Sequence, residues 1–336
     1  MIELTRSLCL IVLGAIRAIL GMRALVKLPS WSLFLSLAVS AIRAFIKGHA
    51  TDLRTLRAIT DTFSFPGIPM AAAYFKARLG GVTVEVVHPR HIKISKVKNN
   101  ASLSMASYRV VMYLHGGGGA VCSPATHRFL THTLAVEADA IVVVPQYRRV
   151  PENKLTDAVE DAFKVFSALI TVHQVDIEKI SVCGDSAGGA IAILTLIQIR
   201  DRLSPANIPA CLGLLSPWSD FYTPPAVPRI DVDYLCPEIL EFMSLLITQS
   251  GSAESDPINQ SFRGFPPVLV QAGDSEILID QIRKLAKIIQ TESYENTTFI
   301  EYREMIHIPH LFSIMSPEGR SAMRDLATFI KINCPL

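Results

Sequence analysis

The chain has 336 residues, 50% of them hydrophobic, which is enough to bury one large α/β core with accessory helices and requires no second core. Its 32 basic and 30 acidic residues are spread along the chain and leave a formal net charge of +2, so there is no electrostatic footprint for nucleic acid. The six cysteines (Cys9, Cys122, Cys183, Cys211, Cys236, Cys334) form no C-x-x-C pair and no H-E-x-x-H spacing occurs. Free thiols, no metal and no cofactor are therefore expected.

The first fifty residues are the most apolar part. The stretches 8–26 and 28–46 are both strongly hydrophobic, yet Arg17, Arg23 and Arg43 interrupt them. A membrane span wants about twenty largely uncharged residues. The clean run 28–42 falls short of that and contains Pro29, Ser30, Ser32, Ser36 and Ser40. A secretory leader would place its basic residues first and a small-residue cleavage site last, and this segment does neither. Arginines at such intervals fit amphipathic helices that cover a pocket or lie on a membrane surface. Residues 1–80 are thus expected to form an apolar N-terminal cap or membrane-associating helices. The expected location is intracellular, either cytoplasmic or at a membrane surface, with residues 1–50 making any membrane contact.

From residue 81 onward, strand-like and helix-like segments alternate. Residues 81–88 show β-branched residues at a two-residue period, and 95–107 read as a polar loop. Residues 110–114 form a short apolar strand, and 140–144 another. Residues 151–172 have helical spacing, with Leu155, Val159, Ala162, Phe163 and Phe166 on one face. Residues 180–183 form a strand, and 190–199 a helix that is apolar nearly all round and so must be buried. After the strand 212–215 the rhythm breaks in a stretch rich in Pro, Asp and aromatics. That stretch reads as a cap insertion at about 217–262, with one helix near 237–248. A strand at 267–272, a helix at about 277–291 and a last strand at 298–302 follow. This order predicts an α/β fold with a mostly parallel central sheet, helices on both faces and a helical cap. Residues 81–336 would be the main domain.

Two segments about seventy residues apart carry the chemistry. His115-Gly116-Gly117-Gly118-Gly119 follows one strand, and Gly184-Asp185-Ser186-Ala187-Gly188-Gly189 follows another. The second fits G-x-S-x-G, which holds a serine hydroxyl on a strained strand-to-helix turn. The first fits a glycine loop that offers backbone N–H groups to an oxyanion, together with the N–H of Ala187. A serine hydroxyl is a poor nucleophile until a histidine takes its proton, and the histidine needs a carboxylate to fix its tautomer. Ser186 is the expected nucleophile, with Asp185 a neighbour pointing away. The base lies in the last loop, at His307 or His310. The acid lies just beyond a strand, at Asp274 or Glu276, whereas Asp280 reads as a helix-start carboxylate.

A third segment, Tyr147-Arg148-Arg149-Val150-Pro151-Glu152-Asn153, precedes Asp157, Ala158, Glu160, Asp161 and Ala162. With the two glycine motifs in this order, the chain resembles the hormone-sensitive-lipase-like family of α/β hydrolases from about Val110 to its end. The resemblance implies Gly117 and Gly118 as oxyanion donors, with Gly116 less favoured, and His115 as a residue that shapes the loop. It implies His307 as the base, with His310 as the alternative. Registering Leu278 and Asp280 on the family's Asp-x-Leu-x-Asp pattern places Glu276 at the acid position, a departure in residue type, with Asp274 as the alternative. It further implies a serine hydrolase of carboxylic esters acting through an acyl-serine. The apolar N-terminus and the aromatics Trp218, Phe221, Tyr222, Tyr234 and Phe242 suggest a hydrophobic small-molecule ester with a short acyl group such as acetate, as in tailoring steps of secondary metabolism. Acyl transfer or rearrangement with the same triad, and non-catalytic small-molecule binding, are the competing expectations.

Overall fold

The computed structural model describes residues 13–14, 28–62, 71–94, 104–223, 232–249, 256–293 and 297–336. Eight strands form one sheet: β1 (Ala72–Leu79), β2 (Val82–Pro89), β3 (Arg109–Leu114), β4 (Ala140–Pro145), β5 (Ile180–Asp185), β6 (Cys211–Leu215), β7 (Val268–Gly273) and β8 (Thr297–Tyr302). Their spatial order is β1-β2-β4-β3-β5-β6-β7-β8. β1, β2 and β4 pair antiparallel, and all pairings from β4 through β3 to β8 are parallel. β4, β5, β6 and β7 are buried along their whole length, which explains their nearly unbroken apolar sequences.

Successive residues of a strand face opposite layers, and the core divides accordingly. Val110 and Met112 join α4 (Leu155–Thr171), α5 (Ala187–Arg202) and α7 (Ile279–Glu292) in one cluster. Val111 and Tyr113 join α3 (Arg128–Ala138) and α8 (Pro317–Asn333) in the other. Before the sheet come α1 (Leu33–Gly48), whose N-terminus is capped by the Ser32 hydroxyl accepting from Leu35 N at 3.1 Å, and α2 (Leu53–Thr62). Within the insertion, α6 (Pro237–Gln249) is the described helix.

The sheet begins earlier than residue 81. β1 pairs with β2 from Ala72↔Pro89 to Leu79↔Val82, so residues 72–79 belong to the sheet and not to a separate N-terminal cap. As an edge strand it exposes Tyr74, Lys76 and Arg78, which masks its apolar face in the sequence. Two helices that the sequence pattern did not mark, α3 and α8, complete one face. The apolar stretch 8–26 lies outside the described residues apart from 13–14. Among the described residues, no helix is long and apolar enough to cross a membrane.

Candidate active site

The strand-to-helix turn after β5 is tight. Asp185 ends β5, Ala187 begins α5, and Ser186 between them has φ 51° and ψ −125°. A non-glycine residue at positive φ costs about 1–3 kcal/mol and persists only where its surroundings enforce it. Here Ser186 N donates to Leu215 O at 2.9 Å and Trp218 N donates to Ser186 O at 3.0 Å. The glycines of the motif are required by close approach: a Cβ on Gly188 would run into Leu114 O and His115 O, and one on Gly184 into Gly188 O. The serine is thereby lifted to the C-terminal edge of the sheet at the start of a buried helix, where the first N–H groups have no intrahelical acceptor.

The glycine loop is fastened by Asp185. Its Oδ1 accepts from Gly116 N at 3.0 Å and from Tyr113 OH at 2.8 Å, and its Oδ2 lies 3.2 Å from His127 Nε2. Burial works to raise this carboxyl but is outweighed by the charge and hydrogen bond of His127 and by Tyr113, so its pKa is lowered. Asp185 does point away from the elbow, and what it points at is the loop. The Gly116 N–H is committed to it. Gly117 (φ 114°) and Gly118 (φ 60°) carry the turn, and Gly117 O accepts from Ala120 N and Val121 N. His115 stacks on Tyr147 with centroids 4.3 Å apart, and Tyr147 OH donates to His115 O at 2.6 Å. Burial, then the nearby charge of His127, depresses His115 to about 3. It is a neutral structural imidazole.

On the other side, Glu276 and His307 meet. Glu276 Oε1 lies 3.3 Å from His307 Nδ1, while Oε2 accepts from Ser216 Oγ at 2.6 Å and from Gly273 N at 2.9 Å. Ser216, one residue beyond β6, also accepts from Ile308 N at 2.9 Å and so ties the acid loop to the histidine loop. Burial pulls His307 down, but the hydrogen bond and charge of Glu276, with the charges of Asp233 and Asp185, outweigh it and leave its pKa raised. Its Nε2 is buried and makes no hydrogen bond among the described residues. The serine–histidine contact is therefore open, and such contacts tighten when substrate settles.

The alternative residues lie elsewhere. Asp274 Oδ1 accepts from Ser275 Oγ at 2.8 Å in its own turn and from Glu304 N at 2.7 Å in the loop after β8, and among the described residues it makes no hydrogen bond with His307. Asp280 sits in the first turn of α7, 3.6 Å from Arg283 Nη1. His310 Nε2 bonds Gln271 Oε1 at 2.9 Å, and Gln271 in turn donates to Tyr302 OH and Ala322 O. Burial lowers His310 to about 3. Of the sequence candidates, the fold pairs Glu276 with His307 and leaves Asp274 and His310 in separate networks.

The cap closes over the glycine loop. A Cβ on Gly118 would stand 2.7 Å from Met243 Cγ of α6, so that thioether lies directly on the loop. Trp218, Phe221 and Tyr234 are buried, with Trp218 and Phe221 in an edge-to-face pair at 5.0 Å, whereas Tyr222 is exposed. Ser216, Asp233 and Met243 belong to no motif, and nothing local in the sequence marks them. A polar cavity of about 350 Å³ lined by Lys76, Glu85, His115, Cys122, Arg128 and Arg149, among others, lies behind the glycine loop and includes none of Ser186, Glu276 and His307. Among the described residues there is no group of three or more His, Cys, Asp or Glu able to hold a metal ion.

Comparison with known proteins agrees with this fold. A sequence model of the α/β hydrolase fold matches residues 111–311. An acetyl-hydrolase of Streptomyces hygroscopicus is 32% identical over 229 residues, covering 66% of this chain and 75% of the relative. An esterase of Acinetobacter venetianus is 27% identical over 252 residues, covering 72% and 82%. Among solved structures, an esterase from the bacterial hormone-sensitive lipase family superposes with TM-score 0.74 at 24% identity, covering 88% of this chain and 98% of that one.

Proposed function

The chain belongs to the α/β-hydrolase fold family, and from that premise we propose that it is a serine carboxylic ester hydrolase with Ser186 as nucleophile, His307 as base and Glu276 as acid. The observation that carries this reading is the buried Glu276–His307 pair with Nε2 uncommitted, beside a serine held at positive φ on a strand-to-helix turn. Ser186 Oγ attacks the ester carbonyl as its proton passes to His307 Nε2, and Glu276 at Nδ1 steadies the imidazolium. The tetrahedral oxyanion accepts from the N–H groups of Gly117, Gly118 and Ala187. Collapse releases the alcohol, which takes the proton from His307 and leaves an acyl-serine. Water, deprotonated by His307, then frees the acid. The commitment of Gly116 N–H to Asp185 argues for Gly117 and Gly118 over Gly116.

The substrate reading is a hydrophobic small-molecule ester with a short acyl group, acetate foremost. It is supported by Met243 lying on Gly118, by the buried aromatics of the cap and by the acetyl-hydrolase among the relatives. Such a deacetylation suits a tailoring step on a small natural product. Leu33 and Phe34 of α1, 50% and 63% exposed, support contact of the N-terminal region with a membrane surface.

The test is hydrolysis of p-nitrophenyl acetate, butyrate and octanoate by the wild type and by Ser186→Ala, His307→Ala, Glu276→Gln and Asp274→Asn. Loss of kcat by roughly 10³-fold or more is expected for the first two, about 10²-fold or more for Glu276→Gln, and only a few-fold for Asp274→Asn. The acetate ester should turn over fastest. Folded wild type that neither turns over nor reacts with a fluorophosphonate would overturn the reading.

A further inference from the structure

Between the catalytic pair and α1 lies a further buried carboxylate, Asp233, which the mechanism above does not use. Its Oδ2 accepts from Ile277 N at 2.8 Å, the residue that follows Glu276, and its Oδ1 accepts from Leu235 N at 3.3 Å. The next residue, Tyr234, sets its ring 5.9 Å from the His307 imidazole. From the far side, Arg43 of α1 donates through Nη1 to the backbone carbonyls of Asp233 and of Leu235, the latter at 2.7 Å. The guanidinium thus clamps the chain at 233–235 rather than the carboxylate.

A buried carboxylate is costly unless something compensates it. The groups facing Asp233 are two N–H donors, the Glu276 carboxylate, which repels it, and the His307 imidazole, which attracts it when protonated. His307 in turn faces Glu276, Asp233 and Asp185, with Tyr234 against its ring. Arg43 also feels Cys236 and Glu238 at the start of α6. A negative charge that faces a histidine is most favourable when that histidine carries a proton, which is its state in the transition state for serine attack.

We infer that Asp233 is a positioning residue for the triad, holding the Glu276 loop through the Ile277 N–H and supplying a second negative charge toward His307, with Arg43 fixing it in place. This rests on the reading of Ser186, Glu276 and His307 as the catalytic groups. Burial raises the Asp233 carboxyl to about 6, with the charge of His307 working against that rise, so the carboxylate is ionised at neutral pH.

The sign follows directly. Asp233 is among the charges that raise His307, so removing its charge lowers the His307 pKa, and the acid limb of kcat/KM moves to lower pH. The test is the pH profile of Asp233→Asn with p-nitrophenyl acetate. The ratio of kcat/KM at pH about 7, where Asp233 is ionised and His307 still titrates, to that at pH about 9 is expected to rise about two-fold over wild type. At the upper pH, kcat should fall several-fold with KM within about two-fold. A profile that superimposes on wild type, or a loss of kcat with the limb unmoved, would overturn the inference. If Asp233→Asn does not fold, Arg43→Gln carries the test: a several-fold fall in kcat, partly restored in Arg43→Lys, is expected, and wild-type kcat would sink it. If the wild type proves inactive, the function reading fails separately. The NMR titration of His307 in folded wild type and Asp233→Asn then decides, a lower midpoint in the variant supporting the role and an equal one refuting it.

Discussion

Two histidines three residues apart in the last loop are placed in opposite electrostatic situations by what they touch. His307 bonds Glu276, feels the charges of Asp233 and Asp185 and has its pKa raised, whereas His310 bonds the neutral amide of Gln271 in a fully buried site, and burial, against the charge of Asp185, lowers it to about 3. The consequence for His310 is one of stability. Its folded value lies below the ordinary 6.5, so in the window from about 6.5 down to 3 the unfolded chain binds a proton that the folded chain refuses. Stability is therefore present above 6.5 and lost as pH falls through that window. Between pH 7 and 4 the site should cost about 3 kcal/mol. A His310→Asn variant lacks this term, so its stability deficit relative to wild type should shrink by about that amount on going from pH 7 to 4, as read by urea denaturation at each pH. An unchanged deficit would show that His310 takes up its proton in the folded state.

At the scale of elements, both N-terminal helices serve loops rather than the sheet. α2 projects Arg57, whose Nε donates to Ala120 O at 2.8 Å and whose Nη2 donates to Val150 O at 2.6 Å, while its contact with Glu152 is largely solvent-exposed. The exposed ion pair adds little. The two part-buried carbonyl contacts are the substance, and Arg57→Ala should cost about 1–2 kcal/mol in stability. Because Ala120 directly follows the glycine run, kcat on p-nitrophenyl acetate should also fall several-fold; kcat within about two-fold of wild type would mean that the loop holds its shape without α2. These attachments also mark what the sequence revealed. The glycine loop and the elbow were legible because glycine and serine spacing dictates local backbone conformation. The parallel strands were legible because burial on both faces leaves an apolar run. β1 was hidden by its exposed Tyr74, Lys76 and Arg78, and α3 by Thr131, His132 and Thr133, which break its apolar stripe. Arg43 looked like an interruption in an apolar segment and is instead a clamp. Asp233 gains its place only when α1, the insertion and the loop after β7 converge, and no local pattern records such a meeting.

Across the whole molecule, stability should be unevenly distributed in a way that matters for the site. β4 to β7 are buried throughout, whereas α1 buries only Leu35, Ser36 and Val39, and α2 only Thr55 and Leu56. Regions with few buried apolar contacts open at lower free energy than a sheet core. Yet this weakly packed N-terminal region holds both sides of the candidate site. Arg43 clamps residues 233–235, Trp31 Nε1 donates to Glu304 O at 2.6 Å in the histidine loop, and Arg57 reaches the glycine loop. An adduct on Ser186 that draws the glycine loop and His307 together favours the closed arrangement, and by linkage it must stabilise whatever holds that arrangement. Amide hydrogen exchange should therefore show α1 and α2 exchanging well before β5 and β6 in the free protein, and slowing several-fold once a fluorophosphonate is attached, with β5 and β6 little changed. α1 amides as protected as those of β5, or unchanged by the adduct, would show that the N-terminal helices move with the core and do not respond to the site.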